Sequence, residues 1–243
     1  MANLDQIALL AATIGILLVD KPAGLAAHDV VREFKRHFNL VKVGHGGTLE
    51  TNASGLFVVL LGEGTKVAES LMGADRAYSM TVRLGTATDT CDRNGAVLAT
   101  QPFAAVTPAA LETALVGLRG DVFQAPPRFS AVLMHGATGY KVVPTADDEE
   151  ARPRLVHVYR LAATSFAPPL VGLDISCTKG ASPRALARDL GEALGCGASL
   201  DSLRRTSCGH FRVADALPYD DLLKLPPMEL RKRVIPVAQA ASR

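Results

Sequence analysis

The sequence predicts an α+β fold: a mixed, mostly antiparallel sheet with helices packed against it. Three observations lead there. Segments of strand length outnumber those of helical period, several of them follow one another without a helix between, and two helices carry their own start and stop signals. The chain has 243 residues, of which 48% are hydrophobic and 21% charged, so one domain spanning 1–243 can bury a sizeable core. No internal repeat and no linker divides it.

Taken in order, "IALLAATIGILLV" (7–19) is apolar but too short for a bilayer span, and it has no basic leader. It reads as a helical turn or two feeding a buried strand, "GILLVDKPAGL" (15–25), that ends in a Lys-Pro-Ala-Gly turn. From His28 to Phe38, Val30, Val31, Phe34 and Phe38 fall on one helical face, with Arg32, Lys35 and Arg36 on the other. "LFVVLLG" (56–62) is a continuous apolar strand, and "TKVAESLM" (65–72) has helical spacing. In "AYSMTVRLG" (77–85), Tyr78, Met80, Val82 and Leu84 alternate with Ser79, Thr81 and Arg83. "DRNG" (92–95) is a turn into a further strand.

"TPAALETALVGLRG" (107–120) opens with Thr as N-cap and Pro as first helical residue. "RLVHVYRL" (154–161) and "LVGLDISCTKG" (170–180) alternate as strands, and the acidic "TADDEEARPR" (145–154) reads as a surface loop. "SPRALARDLGEALG" (182–195) is a helix with Ser182 as N-cap, Pro183 first and Gly195 just past its end. The last fifteen residues read as a short terminal extension.

Lys and Arg number 26 against 24 Asp and Glu, with an isoelectric point near 8.4. That balance permits a nucleic-acid partner without requiring one. Basic residues gather at 34–38, 203–206 and 230–234; any one cluster alone is an ordinary solvated face. The four cysteines, at 91, 177, 196 and 208, form no CxxC pair and have no zinc-like spacing with His. A reduced cytoplasmic chain without a membrane anchor is expected.

The segment "VGHGGTLETNASG" (43–55) is too rich in glycine for a helix and lacks the alternation of a strand. It does not match the GxxxxGK[ST] phosphate loop, and neither does "LGEGTK" (61–66). "DTCDRNG" (89–95) has the wrong acid spacing for calcium and reads as a hairpin turn. What remains is one carboxylate, Glu50, on a loop whose glycines let the backbone approach something bulky. Composition leaves two readings of it: a plain turn, or an acid presented to a substrate. Taken alone, Tyr78 is a strand's buried-face residue and Arg184 a cation in a helix's first turn.

Together, these segments resemble one family in order and spacing. "LVDKPAGLAAHDVV", "GHGGTLETNASGLFVVLLGEGTK", "AYSMTVRLGTATDTCDRNG", "QAPPRFSAV", "SCTKGASPRALARDLGEALGCGA" and "LRRTSCGHF" are similar to the bacterial tRNA pseudouridine-55 synthases. The resemblance covers about residues 14–217. It implies the pseudouridine synthase fold and isomerisation of uridine to pseudouridine in the T-loop of tRNA, without metal or organic cofactor. By position, Glu50 falls in the slot of the catalytic Asp, Tyr78 in that of the active-site tyrosine, and Arg184 in that of the arginine paired with the acid. His45, Lys21, Lys179 and Leu203 match residues of the RNA-binding motifs.

Four positions depart from the family pattern. Glu50 replaces Asp, Ser182 replaces a pocket tyrosine, Gly46 replaces Thr, and Leu133 replaces a lysine. The longer acid opens an alternative: a weak or inactive relative that binds and folds tRNA. The family's small C-terminal RNA-binding module is expected to be absent, which would leave phosphate contacts to Lys35–Arg36 and Arg204–Arg205. A monomer is expected.

Overall fold

The computed structural model describes residues 13–127, 129–134, 137–142 and 152–241. The chain forms two compact units. One comprises residues 1–76 and 204–243, the other 77–203.

In the first unit, β1 (Gly15–Lys21) lies between β3 (Ala53–Leu61), to which it is antiparallel, and β14 (Leu217–Pro218), to which it is parallel. β2 (Val43–His45) pairs with β3, placing His45 opposite Val59. On the far side of β3 runs β12 (Ala198–Cys208), whose residues from Arg204 onward belong to this unit, and β13 (Phe211–Arg212) pairs with it. β1 and β3 are nearly continuous apolar runs because both of their faces are covered. One face packs Ile16, Leu18, Leu56, Val58 and Leu60 against Leu71, Cys208 and Phe211. The other buries Leu17, Val19, Phe57, Val59 and Leu61.

Helix α1 (Ala27–His37) buries Val30 and Phe34, and Phe34 meets Tyr219 edge-on at 5.9 Å. The predicted helix over 65–72 is instead a 3-10 stretch, Gly62–Val67, followed by one short helix, α2 (Ala68–Met72). Gly64 sets that path: a Cβ there would sit 2.5 Å from the Gly15 carbonyl oxygen. Helices α5 (Tyr219–Lys224) and α6 (Pro227–Lys232) close the unit. The last residues are no loose extension, because Ile16 and Ile235 exchange both backbone hydrogen bonds, at 2.9 and 2.8 Å, and Leu230 is fully buried.

In the second unit the sheet order is β12, β4 (Arg76–Leu84), β11 (Leu170–Cys177), β10 (Arg154–Ala167), β7 (Gly120–Gln124). Tyr78, Met80, Val82 and Leu84 are buried, as the alternation of β4 predicts. β5 (Thr86–Thr88) and β6 (Val97–Thr100) form a hairpin around the "DTCDRNG" turn. β8 (Phe129–Met134) and β9 (Ala137–Val142) form another; the side chain of Leu133 and most of the acidic stretch 145–154 lie outside the described residues.

Helices α3 (Pro108–Gly117) and α4 (Pro183–Ala193) start where their caps predict. Thr107 accepts from Ala110 N–H at 3.2 Å, and Ser182 from Ala185 N–H at 3.3 Å. All four cysteines are buried free thiols.

Candidate active site

The loop that carries Glu50 is fastened on both sides of that residue by buried cations. Ahead of it, Arg205 Nη1 donates to the Thr48 carbonyl at 2.9 Å while its Nε donates to Leu56 O at 2.7 Å. After it, the Thr51 carbonyl accepts from Lys21 Nζ at 3.4 Å and from Gly24 N–H at 2.7 Å. Lys21 Nζ also donates to Pro22 O at 2.8 Å and Leu25 O at 2.7 Å. The loop closes on itself through Ala53 N–H to Glu50 O, at 3.1 Å. Glu50 itself is partly buried.

This arrangement depends on Gly55. Its φ of +98° lies in the region glycine favours, and a Cβ there would meet the Arg205 carbonyl oxygen at 2.3 Å. Only a residue without a side chain lets β3 run this close to the strand bearing Arg205.

The electrostatics of the first unit follow from burying two cations together. Lys21 has no exposed surface. Burial first, and the Arg205 charge second, lower its pKa to about 8. The same two causes lower the pKa of His45, which keeps the ring neutral at pH 7. His45 Nδ1 accepts from Gly47 N–H at 3.3 Å, so the ring proton is assigned to Nε2. The ring packs 5.6 Å from Phe57.

In the second unit, Arg184 is 4% exposed and its Nη1 donates to the Thr90 carbonyl at 3.0 Å. The "DTCDRNG" turn presents that oxygen. Asp92 Oδ1 accepts from Thr90 Oγ1 at 2.8 Å and from Asn94 N–H at 2.9 Å, and Cys91 takes a φ of +59°. Leu200 N–H donates to Cys91 O, and Arg93 N–H to Leu200 O, both at 2.9 Å, which ties the turn to β12. The start of α4 is fixed again where Ser182 N–H donates to Gln124 Oε1 at 2.9 Å. Tyr78 is buried on β4, Leu203 is buried on β12, and Lys179 is exposed on the loop before α4.

Residues 35–182 match the TruB family pseudouridylate synthase N-terminal domain, and residues 184–242 the tRNA pseudouridylate synthase B C-terminal domain. This chain belongs to the TruB family. Among its relatives is a tRNA pseudouridine synthase B of Opitutus terrae, 42% identical over 93% of this chain and 94% of the relative. One from Corynebacterium aurimucosum is 41% identical over 89% of this chain and 74% of the relative. Among solved structures, a Cbf5-Nop10-Gar1 complex contains a chain of the same fold, with a TM-score of 0.75 and 24% identity. That match covers 96% of this chain and 63% of the other. The TruB relationship and this fold agree with the α+β expectation.

Two of the residues expected at the RNA are buried in this structure. Lys21 has no exposed surface and Arg205 is 2% exposed, and both donate to backbone carbonyls. In this structure the two side chains hold the loop. The other basic residues are at the surface. Lys35 and Lys179 are exposed, Arg36 pairs with Glu33 at 2.8 Å, and Arg204 forks onto Asp20 at 2.9 and 2.6 Å.

The sequence reading missed Gln124 and the turn at 89–95 as supports of the Arg184 helix. "QAPP" directly after an alternating strand marks where the chain leaves the sheet, but not what the Gln side chain grips. Among the described residues no three His, Cys, Asp or Glu side chains converge as a metal site. No helix among them is long and apolar enough to cross a membrane.

Proposed function

We propose that this chain isomerises uridine to pseudouridine in tRNA, acting on the T-loop at position 55, with Glu50 as the catalytic carboxylate. Family membership supports the reaction. The observation that carries the residue assignment is the fastening of Thr48 and Thr51, the residues flanking Glu50 at two and one positions, by buried Arg205 and Lys21. A backbone so fixed holds an acid in place before substrate arrives, which is what preorganised catalysis requires.

The reaction balances within the substrate. The bond from N1 to the sugar C1′ breaks, a bond from C5 to C1′ forms, the C5 proton leaves and N1 takes one up. Nothing is oxidised or reduced. A uridine stacked in a folded loop must first be everted, at a cost of a few kcal/mol. Tyr78 is proposed to stack on the everted base, worth about 1–3 kcal/mol, and to serve the C5 proton. Glu50 acts at the sugar side of the breaking bond, and Arg184 is assigned to keep that carboxylate ionised. Neutral His45, with its proton on Nε2, offers a hydrogen-bond donor to RNA. Lys35, Arg36, Arg204 and Lys179 are proposed to meet phosphates, with Ser182 and Leu203 lining the RNA site. We place the reaction in the cytoplasm and assign it to a monomer.

The test is pseudouridine formation on a tRNA transcript by the purified protein, with Glu50→Ala as control. Product formed by the wild-type chain and not by the variant is expected. Tight tRNA binding without product from the wild type would instead support the RNA-binding and folding role.

A further inference from the structure

The strand pair β7–β10 carries a surface that the reaction does not use. Phe123 stands opposite Leu155, and on the same face Asp121 stands opposite His157. Tyr159 continues this row, beside the irregularity between Val158 and Arg160. Phe123 is 72% exposed, Leu155 58% and Tyr159 54%, while Val156 and Val158, alternating with them, are buried in the core. The His157 and Tyr159 ring centres lie 4.7 Å apart, and His157 Nδ1 is 2.6 Å from Asp121 Oδ1. Phe123, Leu155, His157 and Tyr159 thus share one open face of the strand pair, more than a stray surface side chain.

Charge indicates what covers it. β10 carries no acid from Arg154 to Ala167, and Arg154 and Arg160 are exposed. The one carboxylate of the pair, Asp121, is already engaged by His157. The patch also runs into the loop ahead of α4: His157 N–H donates to Thr178 Oγ1 and Thr178 N–H donates to His157 O, both at 2.9 Å, and exposed Lys179 follows. Aromatic faces on an open sheet, flanked by exposed cations without a carboxylate partner among the described residues, suit unpaired nucleotides, whose bases stack and whose phosphates take the charge.

We propose that this face is a stacking platform for nucleotides of the substrate RNA other than the reacting uridine, with Phe123 and Tyr159 carrying the bases and Arg160 a phosphate. The proposal rests on the tRNA reading above.

The test uses the full chain, the double variant Phe123→Ala/Tyr159→Ala, and a full-length tRNA transcript as probe. Both positions are exposed, so thermal melting should not move. The double variant is expected to weaken tRNA binding about tenfold or more, with kcat at saturating tRNA unchanged and the salt dependence of binding unchanged, because no charge is removed. Arg160→Gln should lower the salt slope by about one. Binding within twofold of wild type overturns the platform. So does a concentration-dependent dimer that the double variant abolishes, which would assign the patch to a second copy of the chain. If the wild type neither binds nor isomerises tRNA, the underlying reading fails first and takes the platform with it; if it does both and the double variant matches it, only the platform fails.

Discussion

Arg205 donates to the carbonyl oxygen of Thr48 at 2.9 Å from a side chain that is 2% exposed. A charged residue is costly to bury unless its donors are met, and here they are met by the strand and loop on either side of Glu50, through Leu56 and Thr48. Stability and catalysis should therefore respond to this residue together. Arg205→Ala removes the side-chain donor from two carbonyls, at about 1–3 kcal/mol each. Urea unfolding should show a loss of about 2–5 kcal/mol, with turnover on tRNA falling further than binding does. Unchanged turnover in a variant still folded would show that the fastening is irrelevant to the chemistry.

Lys21 makes stability depend on pH, and the sign follows from its lowered pKa. The folded chain releases the proton near pH 8, the unfolded chain near 10.5. Between those values the unfolded state binds more protons, so stability rises with pH and is lost again as pH falls through about 8. The full span is on the order of 3 kcal/mol. Other groups titrate in the same window, so the measurement is the difference between wild type and Lys21→Met in denaturant unfolding from pH 7 to 10.5. Wild type should gain on the variant as pH rises; parallel curves would mean the amine is not held in this buried setting.

Gly55 separates crowding from backbone strain when set beside Gly24. Both have positive φ, +98° and +90°, but a Cβ at Gly24 meets nothing within 4 Å while one at Gly55 strikes the Arg205 backbone. Gly24→Ala should cost about 1 kcal/mol, the price of the left-handed conformation alone. Gly55→Ala should cost several-fold more or prevent folding, because the atom it strikes is a strand's carbonyl and not the end of a flexible side chain. Equal losses on thermal melting would show that the strand gives way.

Strand periodicity made β4 legible, and Thr107-Pro108 and Ser182-Pro183 marked two helix starts, since period and caps are local properties of the chain. Lys21 and Arg205 show where local reading ends. In sequence they are a lysine in a turn and the second arginine of a basic pair, indistinguishable from surface cations. Their burial is decided by β1 and β12 reaching the loop around Glu50 from opposite ends of the sequence. Arg204 next to Arg205 makes the point sharply: strand alternation sends one guanidinium out to Asp20 and the other into the interior. The 3-10 stretch at Gly62–Val67 was hidden for a similar reason, because Gly64 answers to the Gly15 carbonyl and not to its own neighbours.

The remaining prediction concerns the acid itself. Glu carries its carboxylate about one bond farther than Asp, and a misplacement of about 1 Å can cost on the order of 100-fold in rate. With Thr48 and Thr51 both fastened, the backbone has little freedom to retreat and absorb that length. Glu50→Asp should then turn over about 10- to 100-fold faster in single-turnover assays with enzyme in excess, at unchanged affinity for tRNA. Glu50→Gln keeps the shape and loses the charge, so it should bind tRNA and leave uridine intact. An Asp variant no faster than wild type would show that this loop already accommodates Glu, and a Gln variant that still makes pseudouridine would remove the carboxylate from the mechanism.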